Sequence, residues 1–299
     1  MSGNWALYQD TLIPRQDAKI DIEDRGYQFG DGVYEVIRVY NGKLFLAEAH
    51  AKRMERSLKE LRIPFPDCTK RVLKGAQMLV EAEGIVDGIV YLQISRGIAP
   101  RVHQFPSSAT IPIFTGSASS LPRPFSYMDQ GIEVLLLPDI RWLRNDIKSL
   151  NLLGAVLSKQ QAKERGCYEA ILERAGILTE GSSSNLFIVS RGELLTHPAN
   201  NLILNGITRL EIFRLAAEAK LACKEVTYTV DELFAADEAF ICGTTTEIMP
   251  IRTVTTIDAE NRAYHYTIGT GAPGPLTKTL QKAFDRLVKD VTADDGNKS

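Results

Sequence analysis

Val33-Tyr-Glu-Val-Ile-Arg-Val-Tyr-Asn-Gly-Lys-Leu-Phe45 sets the class of the fold, because the period of its apolar residues changes where it ends. β-Branched and aromatic residues crowd Val33–Tyr40 and Gly42–Phe45, and Asn41-Gly42 between them is a two-residue hairpin signal. Downstream, Ala47, Ala51, Met54, Leu58 and Leu61 recur at helical spacing and make one apolar stripe, with His50, Arg53 and Ser57 on a neighbouring face. A strand pair leading into an amphipathic helix opens a mixed α/β fold.

On either side of this stretch, Trp5–Tyr8 reads as a further strand, 70–83 as a second helix, 88–95 as a strand, and the Gly- and Pro-bearing Arg96–Pro106 as a loop before a strand at 110–115. Ser117-Ala-Ser-Ser-Leu-Pro-Arg-Pro124 is the most linker-like stretch, small, polar and without apolar period. The expected division is a small N-terminal α/β domain at 1–120, a linker at 121–130 and a larger C-terminal domain at 131–299, an α+β two-domain arrangement. Beyond the linker, strands at 132–138, 169–173, 185–189 and 238–242 alternate with helices at 152–164, 209–221 and 275–288.

A length of 299 residues suits two cores better than one, and 44% apolar with 24% charged residues is ordinary for a globular protein. A net charge of −2 points to neither a nucleic-acid nor a membrane partner. Cys68, Cys167, Cys223 and Cys242 stand far apart with no ligand-spaced histidine, so neither a disulfide framework nor a metal site is expected. The first residues show no signal-peptide pattern, and a cytoplasmic protein is expected.

Lys148 sits just ahead of a helix among Ile147, Leu150, Leu152 and Leu153, surroundings that would desolvate an ammonium and free an amine for imine chemistry. From position alone it reads as a solvated strand end, and only the other motifs turn the reading toward imine chemistry. Glu180 opens the polar turn Glu180-Gly-Ser-Ser-Ser-Asn185 that feeds the strand Leu186-Phe-Ile-Val189; an ionised carboxylate there suits a pyridine nitrogen, and an exposed turn acid is the plain alternative. Thr208 and Glu211 match a capping box after Gly206, and Gly243-Thr-Thr-Thr-Glu247 is a second hydroxyl-rich turn; both can gather amides for a phosphate or be ordinary turns. Arg53 can pair with that phosphate or simply face solvent. Arg101 and His103, two apart in an extended loop, project the same way and can grip a carboxylate together.

Asp24-Arg-Gly-Tyr-Gln-Phe-Gly-Asp-Gly-Val-Tyr-Glu-Val36, the Arg141-Trp-Leu-Arg-Asn-Asp-Ile-Lys-Ser-Leu-Asn-Leu-Leu-Gly154 segment, Thr179–Asn185, Gly206-Ile-Thr-Arg209 and Thr244-Thr-Thr-Glu247 stand in register, in order. Together they resemble the fold-type IV pyridoxal-phosphate enzymes, and within that family the D-amino-acid aminotransferase branch, over nearly the whole chain. The resemblance implies a PLP-binding C-terminal domain built on a barrel-like sheet. It implies pyridoxal 5′-phosphate carried as an internal aldimine on Lys148, with pyridoxamine phosphate as the alternating form. It further implies that Glu180 meets the pyridine nitrogen, that Arg53, Ile207, Thr208 and Thr244 hold the phosphate, and that Tyr34, Arg101 and His103 trap the substrate α-carboxylate. Amino acids and 2-oxo acids are the implied partners, in a homodimer whose Arg101 and His103 reach the neighbouring subunit's site. Gly243 departs from the pattern, since D-amino-acid enzymes can carry a serine there that touches the phosphate.

The function implied is ping-pong transamination between a D-amino acid such as D-alanine and a 2-oxo acid such as 2-oxoglutarate, giving pyruvate and D-glutamate. A branched-chain L-amino-acid or (R)-amine transaminase is the nearest alternative, and a non-catalytic phosphate-ligand binding protein is the alternative of a different class.

Overall fold

The computed structural model describes residues 3–293, and their contacts divide the chain into two compact units. The first takes the chain up to Pro122, together with Ile147–Asn151 and the stretch from Asp290 onward; the second takes Arg123–Asp146 and Leu152–Lys289. Lys148 thus groups with the N-terminal unit, although the chain on either side of Ile147–Asn151 belongs to the other.

The first unit is built on one antiparallel sheet of β1 (Trp5–Tyr8), β2 (Thr11–Pro14), β3 (Gly32–Tyr40), β4 (Lys43–Phe45), β5 (Gly88–Ser95) and β6 (Ile113–Ser120), in the order β2-β1-β6-β5-β3-β4. The β3–β4 hairpin turns at Asn41-Gly42, both at positive φ, the geometry that the dipeptide favours. Helices α1 (Arg25–Phe29), α2 (Ala47–Glu60) and α3 (Cys68–Glu83) complete the unit. Ala51, Met54 and Leu58 of α2 and Val72, Ala76 and Leu79 of α3 share a core with Leu7, Val33, Ile37, Leu92 and Phe114. Each large apolar side chain fully buried there contributes about 1.5–3 kcal/mol.

The serine-rich stretch read as the start of a linker is strand. Ser117, Ala118, Ser119 and Ser120 pair with Tyr91, Val90, Ile89 and Gly88 of β5, and the chain leaves the sheet only after Ser120. On the buried face of this strand small residues answer to crowding: a Cβ on Gly116 would stand 2.6 Å from Leu92 Cδ2 and 3.1 Å from Leu79 Cδ1, and Ala118 is buried on the same face, while Ser117 and Ser119 lie on the partly exposed face. Small side chains let α3 lie close to the sheet, and ladder hydrogen bonds outweigh weak strand propensity.

The second unit holds β7 (Ile132–Pro138), β8 (Glu169–Arg174), β9 (Ile177–Gly181), β10 (Asn185–Ser190), β11 (Glu193–Thr196), β12 (Cys223–Glu225), β13 (Glu238–Gly243), β14 (Glu247–Ile257) and β15 (Ala263–Thr267). Their order is β12-β11-β10-β13-β14-β7-β8-β9, with β15 paired to β14. The sheet curls, since a bond from Gly181 N to Ser184 O of 2.7 Å brings the end of β9 back to the start of β10. Five helices join or flank these strands: α4 (Phe125–Gln130), α5 (Leu153–Glu164), α6 (Ile207–Glu218), α7 (Val230–Phe234) and α8 (Pro275–Thr292). α5 is the crossover between the parallel strands β7 and β8. Val134, Ile171, Leu186, Ile188, Ile241, Met249 and Val254 fill the core of this unit. No helix among the described residues is long and apolar enough to cross a membrane.

One buried acid sets the geometry around α1. Asp24, 3% exposed, caps that helix by accepting from Gly26 N at 2.8 Å and Tyr27 N at 3.3 Å, and also accepts from Ser95 Oγ of β5 at 2.7 Å. Asp24→Ala is expected to lower stability by about 2 kcal/mol, read as a shift in the urea midpoint, with Asp24→Asn losing less because its amide oxygen still caps.

Candidate active site

In the first unit the Lys148 segment lies against the start of β3. Tyr34 N donates to Lys148 O at 3.0 Å, Leu150 N donates to Gly32 O at 3.0 Å, and Ser149 bridges to Val33. On the helix side Lys148 N donates to Ser57 Oγ of α2 at 3.3 Å, and Ile147 is buried in the core. These bonds fix the backbone on two sides and leave the half-buried side chain to reach out, its Nζ 4.3 Å from the centre of the Tyr34 ring. Tyr34 stacks in turn on Tyr91 at 5.7 Å. The apolar cage expected from sequence is only partly there: Ile147 is buried, whereas Leu153 is 71% exposed.

Arg53, expected at the phosphate, pairs through Nε and Nη2 with both oxygens of Glu35 at 2.7 and 2.9 Å. Glu35 is fully buried on β3 and also meets His50 Nδ1 at 2.8 Å. Burial alone would push that carboxyl up, but Arg53 and His50 hold it well below the carboxylate range. Burial, partly opposed by Glu35, lowers the His50 value, with Arg53 and Lys148 adding to the fall. The helix face carrying His50, Arg53 and Ser57 is therefore an inner face, committed to Glu35 and the Lys148 segment. Glu35 is a residue that the sequence reading missed; the i, i+3 spacing of His50 and Arg53 on one helix is the signal that could have pointed to an acid facing them.

Arg101 and His103 are exposed on the loop after β5 and share one anchor. The Arg101 guanidinium lies 5.0 Å from the centre of the Phe29 ring, and His103 meets the same ring edge-on at 5.8 Å. Arg25 packs on Phe29 at 4.8 Å and donates to Val102 O at 2.7 Å, while Asp31 holds Arg25 Nε at 2.8 Å. Among the described residues neither Arg101 nor His103 makes a hydrogen bond or ring contact with Tyr34 or Lys148. Phe29 is the partner that sequence reading missed.

In the second unit Glu180 is not in the turn where the sequence reading put it. Ala175-Gly176, both at positive φ, turn the chain from β8 into β9, and Glu180 lies near the end of β9, 4% exposed. Arg141 Nη1 donates to its Oε1 at 2.6 Å, Asn185 Nδ2 to its Oε2 at 2.9 Å, and Leu204 N approaches both oxygens at 3.2 Å. Arg141 is fixed in turn by Asp139, through Nε at 3.0 Å and Nη2 at 2.9 Å. Burial outweighs Arg141 and the Leu204 amide, so the Glu180 carboxyl is pushed up to about 7.

The capping box expected from Thr208 and Glu211 does not form. α6 starts at Ile207 with Gly206 as its cap and no side chain bonding its first amides, so Thr208 sits inside the first turn. The amides of Ile207 and Thr208 head a buried helix end, which by its dipole and its unsatisfied N–H groups favours an anion. Thr244 lies on the turn between β13 and β14. The two places are joined through Asn185, which pairs with Cys242 of β13 and whose Oδ1 leaves no room for a Cβ on Gly206. Lys148, Tyr34, Arg53, Arg101 and His103 thus belong to the first unit, and Glu180, Ile207, Thr208 and Thr244 to the second.

The family model of amino-transferase class IV matches residues 32–254. The chain belongs to the class IV aminotransferases. Similar relatives include the D-alanine aminotransferase of Bacillus licheniformis, 44% identical over 287 residues that make up 96% of this chain and 98% of that protein. The D-alanine aminotransferase of Staphylococcus epidermidis is 42% identical over 278 residues, 93% of this chain and 95% of that one. Among solved structures, a branched-chain amino acid aminotransferase of Escherichia coli superposes with a TM-score of 0.87 at 25% identity, covering 99% of this chain and 98% of that one. A branched-chain enzyme from Thermobaculum terrenum, solved in its PLP form, gives 0.82 at 25%, covering 97% and 95%.

In this class IV aminotransferase the raised Glu180 value makes stability depend on pH. The folded form holds the Glu180 proton up to about pH 7, whereas the unfolded carboxyl releases it near 4.5. That contribution is fully present below about pH 4.5 and is lost as pH rises through 7. Melting of cofactor-free protein between pH 5 and 7.5 is expected to show this decline, and Glu180→Gln is expected to flatten it.

Proposed function

We propose that the chain transfers the amino group of a D-amino acid to a 2-oxo acid, with D-alanine and 2-oxoglutarate giving pyruvate and D-glutamate. The observation that carries this is the 44% identity to a D-alanine aminotransferase across 96% of the chain. The chemistry of the donor set fits pyridoxal phosphate. A half-buried primary amine suits its aldehyde, a buried carboxyl its ring nitrogen, and a helix end with no side-chain cap its phosphate.

When bound, pyridoxal phosphate supplies an electron-accepting ring that stabilises negative charge at the amino acid Cα. Lys148 Nζ would hold the cofactor, and its free amine would accept and return the Cα proton. Glu180, titrating near 7, keeps a proton at the ring nitrogen at neutral pH, and Arg141 and Asn185 fix its orientation. Arg53, the amides of Ile207 and Thr208, and Thr244 hold the phosphate, with Glu35 setting the direction of the Arg53 fork. Tyr34, Arg101 and His103 receive the α-carboxylate. Because one amine serves the Cα hydrogen in either enantiomer, the hand is chosen by which pocket takes the carboxylate.

The likeness to the branched-chain enzyme of Escherichia coli, TM-score 0.87 at 25% identity, favours a second reading as an L-amino-acid transaminase. Offering D-alanine or L-leucine with 2-oxoglutarate separates the two. Consumption of D-alanine, by ping-pong kinetics and abolished in Lys148→Ala, is expected; consumption of L-leucine alone would sink the D-specific assignment.

A homodimer with shared sites completes the proposal. Arg101 and His103 face outward on an anchored loop, and α5 exposes Leu153, Val156 and Leu157 at 71%, 56% and 47%, an apolar face that suits a second copy of this chain. Mixing inactive Lys148→Ala with weakened Arg101→Ala under conditions that exchange subunits is expected to restore activity, because one site per hybrid then has its own lysine and its partner's arginine. Absence of any recovery in proven hybrids would show that Arg101 serves its own subunit.

A further inference from the structure

Arg101 and His103 ride on the connection between β5 and β6, residues 96–112, which contains no regular helix or strand. Its returning arm borders a cavity of about 470 Å³, lined by Ile63 and Pro64 after α2 and by Phe105, Ser107 and Thr110 of the loop itself. Packing against a core therefore does little to set its course. Backbone bonds hold the first residues, with Arg96 N donating to Asp31 O and Arg25 N to Gly97 O, both at 3.0 Å. Between Pro100 and Ser108 the rest of the first unit grips the loop in two places. Arg25 Nη1 donates to Val102 O at 2.7 Å, and the same guanidinium packs on Phe29, the ring that Arg101 and His103 share. Further on, Phe105 is held by the guanidiniums of Arg96 at 3.8 Å and Arg62 at 4.7 Å.

One carboxylate serves both grips. Asp31, between α1 and β3, accepts from Arg25 Nε and Arg96 Nε on Oδ2, each at 2.8 Å, and from Arg96 Nη2 on Oδ1 at 3.0 Å. Arg25 and Arg96 are 3% and 5% exposed, so water does little to compensate either charge. Arg96 also donates to Leu61 O at 2.8 Å and Arg62 O at 3.1 Å, which ties it to the end of α2. Taking away the negative charge leaves two buried guanidiniums side by side without their counter-ion. Their repulsion acts on Val102 and Phe29 at one grip and on Phe105 at the other. Among the described residues Asp31 makes no hydrogen bond or ion pair with Arg101 or His103, so any influence on them passes through Arg25 and Arg96.

We infer that Asp31 is a positioning residue for the substrate carboxylate: through Arg25 and Arg96 it sets where Arg101 and His103 stand. This assignment rests on the proposed carboxylate role of Arg101 and His103 and deepens it. The loop supplies the two cationic side chains, and a single buried acid outside the loop fixes the course of the backbone that carries them.

Initial rates of the holoenzyme with D-alanine and 2-oxoglutarate are measured for the parent, Asp31→Asn, Phe105→Leu, Arg101→Ala and the double variant Asp31→Asn/Arg101→Ala, with the cofactor absorbance recorded for each. Asp31→Asn is expected to raise KM for both substrates about tenfold, with kcat within about twofold and the spectrum unchanged, because carboxylate binding is lost and the chemistry at Lys148 is not. Phe105→Leu, at a site 48% exposed, is expected to raise the same KM values about threefold by removing the ring between the guanidiniums. In the double variant KM is expected to lie within about twofold of Arg101→Ala alone, since residues that act through one another are not additive. Should Asp31→Asn fail to fold, Phe105→Leu alone and combined with Arg101→Ala reads the same outcomes. Unchanged KM, a fall in kcat without a rise in KM, or full multiplication of the two effects in the double variant would overturn the inference and leave the role of Arg101 standing. A parent inactive on D-alanine, or Arg101→Ala with the KM of the parent, would overturn the proposed function or the role of Arg101, and the inference with it.

Discussion

A carboxylate taken out of water has to be compensated, and this fold takes in several. Glu35, Glu169, Glu180, Glu238 and Glu247 are between 0 and 7% exposed. Each meets polar partners: Arg53 and His50 for Glu35, Ser182 and Ser183 for Glu169, Arg141 and Asn185 for Glu180, the Leu276 and Thr277 amides for Glu238, and Arg123 for Glu247. Removing one partner of a buried pair typically costs about 3–5 kcal/mol, because the other charge stays behind. The pairings act as constraints that a hydrophobic core, which is non-directional, does not supply.

Three of these acids bear on the site, each in a different way. Glu35 is kept ionised by its partners, so it orients Arg53 and His50 as a fixed negative charge. Glu180 is buried more heavily than it is paired, and its value rises to about 7, a range in which a carboxyl can share a proton with a pyridine nitrogen. Glu247 acts through the backbone, holding the turn that carries Thr244 and Thr246 in a conformation it would not keep unaided. Lys148 is held otherwise: hydrogen bonds of its backbone to β3 and to Ser57 of α2 fix its position, and Nζ has no carboxylate partner among the described residues.

How legible this was depends on what each residue answers to. The β3–β4 hairpin, α2, α3, β5 and α5 could be read from the sequence within a few residues, because their apolar periodicity and turn dipeptides are local properties. Ser117–Ser120 defeated that approach, since a strand with small residues on its packed face and serines on its partly exposed face resembles a linker. Glu180 was misplaced by the same logic: Ala175-Gly176 is a weaker turn signal than Asn41-Gly42, so the β8–β9 hairpin was missed and a strand residue was taken for a turn residue. Thr208 and Glu211 carry a capping-box pattern that is not used, because Gly206 caps α6 first and lets it approach Asn185.

The order of amino acids alone was enough for the mixed α/β class, most of the regular elements and, through five motifs standing in register, the family and its candidate residues. Motifs are local in the chain, and their order survives without coordinates. Packing in three dimensions settled which groups hold those residues: Glu35 on Arg53, Arg141 on Glu180, Phe29 under Arg101 and His103, and Asp31 between Arg25 and Arg96. Most of these join side chains from separate elements, and the energy of burying a charge or a hydroxyl depends on what lies within a few ångströms in space, which spacing along the chain does not encode.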